Sequence, residues 1–335
     1  MRVQWLGTVL AWFPTAVLAQ AGTGTIIAAN MTAASVSIID VATGASVATL
    51  PTAVAPHEVA VSHDGRWAVV AEYGDRRAVG QTLLVVDVSR GTAARRIDLG
   101  VLKRPHGIRF LPGDTMLVVT SEAARVIALV NFVTGAVAAT IETGAGLSHM
   151  IATSATGAQA YVTNVQPGSV SVFDLKTRAR LGLHPVGTPV EGIAVTPNGR
   201  EVWAGGNASQ SIHVMDPMTG KVEATIAGFG MPYRIAITPD GRLAVVTDPG
   251  AEKIHLVDVA TRRITTSIEV PPVNGTAASP QGVTLSPDGR VAIVTLKEAS
   301  QVVIVDLEAG RIVATFATGG GSDGVGFSPV VAQAH

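Results

Sequence analysis

A chain of 335 residues with 47% apolar and only 15% charged side chains can bury a large core, which excludes a disordered or polyelectrolyte protein. The formal net charge of −1 supplies no basic field that would steer the chain onto nucleic acid, so no such partner is expected. There is no cysteine, which removes disulfides, thiolate metal ligands and cysteine nucleophiles.

The chain opens "MRVQWLGTVLAWFPTAVLAQA": Arg2, an apolar run of signal-peptide length, then small residues at alternate positions (Val17 and Ala19, or Ala19 and Ala21). Residues 1–21 are read as a cleaved secretory signal, because the run is short for a membrane span and Pro14 interrupts it. The rest, 22–335, is expected to be one exported domain, periplasmic or secreted and not membrane-spanning. Without disulfides it must be held by packing and topology.

Three short apolar runs follow, "GTIIAAN", "ASVSIID" and "ASVATLP". They match the second, third and fourth runs of a unit that then repeats. Its starts are "HEVAVSHDGR", "HGIRFLPGDT", "HMIATSATGA", "EGIAVTPNGR", "YRIAITPDGR", "QGVTLSPDGR" and a degenerate C-terminal "DGVGFSPVVA". The first residues, His57, His106, His149, Glu191, Tyr233, Gln281 and Asp323, are spaced by 49, 43, 42, 42, 48 and 42. A period in the low forties marks a repeat architecture.

Each unit holds four apolar runs divided by turn chemistry, as in "GVTLS", "VAIVTL", "QVVIVDL" and "RIVATFAT" of the sixth. Alternation, Val/Ile/Thr enrichment and Gly-bearing turns predict strands, and four strands per unit predict a propeller blade. The unit missing its first run at the N-terminus is completed by the orphan "DGVGFS" at the C-terminus. The fold class is therefore all-β: a seven-bladed β-propeller with four antiparallel strands per blade, its ring closed by joining the two ends of the chain.

The segment "AYVTNVQPGSVSVFDLKT" contains Tyr161-Val162-Thr163-Asn164, and the "SPDGR…VSVID…TG…V" pattern runs through the units. In these residues the mature chain resembles YVTN-type β-propeller repeat proteins along nearly its whole length. It is similar to the propellers of the methylamine dehydrogenase heavy chain and nitrous oxide reductase group. The resemblance to the reductase implies copper held by histidines at the channel, although its dense multi-copper ligand set is not reproduced here.

Several recurring residues read as structural. Asp40, Asp87, Asp174, Asp216, Asp258 and Asp306, with Asn131 in the same slot, end the third run ahead of a turn and suit hairpin caps. His63 replaces the proline of an "SPDG" turn and is expected to be exposed. His213 and His255 share a third-strand position and read as polar residues on a partly exposed strand.

Chemistry is expected where the first runs line the central channel, so that the seven starting residues form a ring at one mouth. With 8 histidines in 335 residues, three at seven aligned positions stand well above composition. His57, His106, His149 and Glu191 would offer imidazole nitrogens and a carboxylate to a metal ion such as Cu, Zn or Fe. Strand phase complicates this, since His57 shares its phase with Val59 and Val61. A long loop, 72–81, brings Tyr73, Arg76 and Arg77 towards the same face, Arg104 precedes His106, and Arg234 follows Tyr233. These could grip an anionic group.

No "GxSxG", P-loop, "HExxH" or "CxxCH" motif is present, and nothing points to haem, nucleotide or flavin. The first functional expectation is a metal-binding propeller, including a metal-dependent oxidoreductase. The alternatives are a scaffold binding a small molecule or an exported protein partner, and a metal-assisted lyase or lactonase.

Overall fold

The computed structural model describes residues 22–187 and 189–333, so the expected signal peptide lies outside the described residues. Among the described residues, twenty-eight strands form seven four-stranded antiparallel sheets. Numbered from the first complete unit, the blades span 56–98, 105–142, 146–185, 190–227, 234–269 and 280–317, and the seventh combines 322–328 with 25–51. The chain is a seven-bladed β-propeller. Among the described residues no helix is long and apolar enough to cross a membrane.

The innermost strands are Pro56–Val61, Pro105–Phe110, Gly146–Thr153, Val190–Val195, Arg234–Ile237, Pro280–Leu285 and Ser322–Ser328. Each touches the innermost strand of the next blade, and the last touches the first. In the seventh blade Thr25–Asn30 pairs antiparallel with Ser322–Ser328, with Thr25 opposite Ser328 and Ile27 opposite Gly326. The Thr25 hydroxyl donates to the Val330 carbonyl at 2.7 Å and accepts from the Ala332 N–H at 2.8 Å. The ends of the chain thus hold the ring shut by hydrogen bonds where cysteine is lacking.

The core is seven clusters, one between each pair of neighbouring blades. In the first blade Val69, Ala71, Leu83 and Val85 face the second blade, whereas Ala68, Val70, Leu84 and Val86 face the seventh. Alternate residues therefore pack into opposite neighbours, so the second and third strands read as nearly unbroken apolar runs. Outermost strands are largely exposed: in Thr92–Asp98 only Ile97 is buried and Arg95 half-buried.

The recurring carboxylates act as hairpin caps. Asp40 accepts from the Thr43 N–H at 2.8 Å, Asp174 from Thr177 at 2.8 Å, Asp258 from Thr261 at 2.7 Å and Asp306 from Ala309 at 2.8 Å. Asn131 fills the same role for Thr134 at 2.9 Å. The exposed His63 sits in its turn, with its ring Nδ1 2.6 Å from Asp114 of the next blade. His255 differs from expectation: it is buried, with Nε2 3.2 Å from Asp248 and Nδ1 2.9 Å from Ser267. A buried strand position is tolerable for imidazole because both nitrogens find partners. His213, at the same strand position, is half-buried beside Ser209 and Thr225.

Candidate functional site

The ring residues stand at breaks in strand register. The pairing of innermost with second strand slips between Pro56 and Val59, Pro105 and Ile108, Ser148 and Ile151, Val190 and Ile193, and Pro280 and Val283. Such bulges re-aim side chains, which releases His57, His106, His149, Glu191 and Gln281 from the phase of the valines and isoleucines behind them.

A threonine on the second strand locks the bulge to the next blade. The Thr120 hydroxyl accepts from Gly107 N–H at 2.8 Å and donates to the carbonyl of His149 at 2.7 Å. Thr163 does the same between Met150 and Glu191, Thr247 between Arg234 and Gln281, and Thr295 between Gly282 and Asp323. The threonine of Tyr161-Val162-Thr163-Asn164 is thus a clamp between blades. Asn164 in turn donates to Ser169 and Ser171 at 3.2 and 2.8 Å.

At the mouth the imidazoles stack in a row. The ring centroids of His57 and His106 are 5.1 Å apart and those of His106 and His149 3.8 Å. Tyr73 packs on both His57 and His106, at 4.4 and 5.3 Å. Glu122 completes the group from below: its carboxylate lies 2.6 Å from His149 Nδ1 and accepts the Tyr73 hydroxyl at 2.5 Å. His106, Glu122 and His149 each offer one ligand atom within 4.8 Å of the others.

Sequence reading missed Glu122, yet a signal existed. It follows the strand Met116–Ser121 at the repeat position that Tyr73 occupies in the blade before, since Val119 opposite Ile108 matches Val70 opposite Val59. Carrying the repeat register one residue past the second strand would have placed both residues at the mouth.

The protonation states suit metal binding. Burial, reinforced by His149, His57 and Arg234, holds His106 well below the ordinary imidazole range, so it is neutral with a free lone pair. Burial alone would raise Glu122, but hydrogen bonds from His149 and Tyr73 outweigh it and keep the carboxylate ionised. Tyr73 is pushed up to about 12 by burial and its bond to Glu122, so it stays a donor. His106 Nδ1 and His149 Nε2 are both buried with no hydrogen-bond partner. Orphaned imidazole nitrogens beside an ionised carboxylate are a donor set that fits a divalent cation.

The other expected residues fall into distinct places. His57 Nδ1 lies 3.1 Å from the Asp323 carboxylate, which burial would raise but which His57, Arg234 and Lys297 hold down at about 2. Glu191 lies 3.6 Å from His149 Nε2 and 3.8 Å from Arg234. Arg234 gives Nε and Nη2 to the buried Glu58, at 3.2 and 2.9 Å, and stacks 4.2 Å over Tyr233. Burial would lower Arg234, but Tyr233, Glu58, Asp323 and Glu191 raise it, so its charge is permanent. Arg104 lies 4.9 Å over the Tyr73 ring and donates to the Asp75 carbonyl at 3.2 Å. Arg76 and Arg77 are exposed at the loop tip, where Asp75 caps the Arg77 and Ala78 N–H groups at 2.7 and 2.9 Å.

Fold and site together define a seven-bladed β-propeller with a His/Glu/His group at one mouth of its channel. No protein-family model and no curated protein matches the chain, so the YVTN resemblance rests on the motif residues themselves. Among solved structures the chain is similar to Kuenenia stuttgartiensis hydrazine synthase, with a TM-score of 0.71 and 17% identity over 80% of this chain and 88% of that one. At that identity the likeness establishes the fold alone.

Proposed function

We propose that this chain is an exported, YVTN-type propeller that holds a metal ion at the channel mouth through His106, Glu122 and His149. The observation that carries this reading is that His106, Glu122 and His149 each bring one ligand atom within 4.8 Å of the others, in a group where one nitrogen of each imidazole is buried and unpartnered. Two donors bonded to one ion at ~2.0–2.1 Å lie no more than about 4.2 Å apart, a span close to the 4.8 Å within which these three ligand atoms lie. Two imidazoles and a carboxylate suit zinc or non-haem iron. This differs from the set expected from sequence, in which His57 and Glu191 took the place of Glu122.

A bound ion would supply Lewis acidity, or redox chemistry if it is iron or copper. Before an ion binds, Glu122 holds the ring of His149 through Nδ1 and is itself oriented by Tyr73. The half-buried His57 and Tyr73 border the mouth, where a small substrate would approach. Glu191, beside both His149 and Arg234, is placed to accept a proton there.

Metal analysis of mature protein purified without a histidine tag tests the reading. One equivalent is expected in wild type and none in His106→Ala/His149→Ala, while His57→Ala keeps the metal. Substoichiometric metal in wild type, or metal retained by the double variant, refutes it and leaves a self-paired polar mouth on a binding scaffold.

A further inference from the structure

On the turn side of the Glu58–Arg234 pair the channel opens into a cavity of about 460 Å³ lined by all seven innermost strands. That volume lies within the ~300–1,000 Å³ typical of small-molecule sites. Three residues after each ring position, one residue per blade borders this space. In six blades it is small: Ala60, Ala152, Ala194, Ala236, Thr284 and Gly326. In the second blade it is Arg109. A single long cation therefore occupies the room that six short side chains leave.

Arg109 has no carboxylate partner among the described residues; its one side-chain hydrogen bond runs from Nη1 to the neighbouring Ile108 carbonyl at 2.8 Å. The remaining ionisable residues on the wall do not compensate it. Glu58 is held by two nitrogens of Arg234, and the rim His63 is spent on Asp114. Arg234 also lies 3.8 Å from Glu191, so Glu58 and Glu191 both answer that arginine and Arg109 is left without an ion pair of its own. Burial, with Arg234 adding to it against the pull of Glu58, accordingly lowers the pKa of Arg109. Arg109 is half-buried, so its charge is partly desolvated without an ion pair, and the guanidinium fork matches a carboxylate through two hydrogen bonds. The partly exposed apolar residues on the wall are Val61, Val195, Ile237, Val283, Leu285 and Phe327.

We propose that this cavity binds a small organic carboxylate with an apolar body, its carboxylate paired with Arg109 and its body against the aliphatic and aromatic wall. The site shares no residue with the metal group and does not depend on it.

Calorimetric titration of the mature protein with hexanoate, hexan-1-ol, acetate and chloride tests the proposal. Hexanoate is expected to bind with one-to-one stoichiometry, at least tenfold tighter than the alcohol or either small anion. Arg109→Gln should lose at least tenfold in hexanoate affinity. Thr284→Trp, which keeps Arg109 but takes up a large part of the cavity, should lose as much and serves if Arg109→Gln does not fold. His106→Ala/His149→Ala should bind hexanoate as wild type does, so failure of the metal reading stays separate. No hexanoate binding in wild type, alcohol or chloride binding as tight as hexanoate, or unchanged affinity in either cavity variant would overturn it.

Discussion

Thr120 shows how one hydroxyl can set a functional residue two strands away. It satisfies the Gly107 N–H at a bulge and holds the His149 carbonyl of the next blade. Thr120→Val leaves both groups buried and unpaired, which should cost about 1–3 kcal/mol in a urea melt and lower metal occupancy through a displaced His149. Thr120→Ser should restore both; wild-type stability in the valine variant would show that the clamp carries no weight. Asp248 makes a second residue-scale case. Burial would raise its pKa, but His255 and the N–H groups of Gly230, Met231 and Ala251 lower it. A carboxylate depressed in the folded state adds stability that is present above the ordinary value of 3.8 and is lost as pH falls through the lowered value. Asp248→Asn should therefore flatten the acid limb of the melting temperature against pH, and an acid limb unchanged from wild type would count against this assignment.

The element that matters most is the seam. Thr25–Asn30 has its inner partner only because Ser322–Ser328 returns from the far end of the chain, and Val330 and Ala332 then pack between the seventh and first blades. Truncation after Gly321 would expose Thr25–Asn30 as a buried-type apolar edge strand. The truncated protein should aggregate or melt non-cooperatively in light-scattering and calorimetric scans. A monomer with an unchanged melting midpoint would mean that the seam does not hold the ring. Strands, hairpin caps and this pairing were all legible in the sequence, because period, turn chemistry and the missing first run are local or countable features. The burial of His255 was not: whether a third-strand position faces solvent depends on what packs over it, here Phe229 at 5.2 Å and Asp248.

At the scale of the molecule, seven inter-blade clusters surround a channel with two chemically different ends: stacked histidines with carboxylates at one mouth, and an arginine without an ion pair in a cavity of mixed polar and apolar lining towards the other. Returning zinc or iron(II) to metal-free protein at 100 times its Kd should add about 2.7 kcal/mol of stability by mass action. His106→Ala/His149→Ala should show no such gain in thermal unfolding, and an equal gain would place the ion elsewhere.

By itself the sequence determined the propeller, its seven blades, its closure and the row of histidines at one mouth, since all of these follow from a repeat that can be aligned to itself. Only the tertiary structure decided which side chains meet. Glu122 joins His106 and His149 rather than His57 because it leaves the second strand at the same height, while His57 turns to Asp323 across the seam between blades. Arg109 became visible as an isolated cation only once six small residues from six other blades were seen around it. Contacts of this kind depend on where a bulge aims a side chain and on what the neighbouring blade brings to the same level, neither of which is written in any single unit.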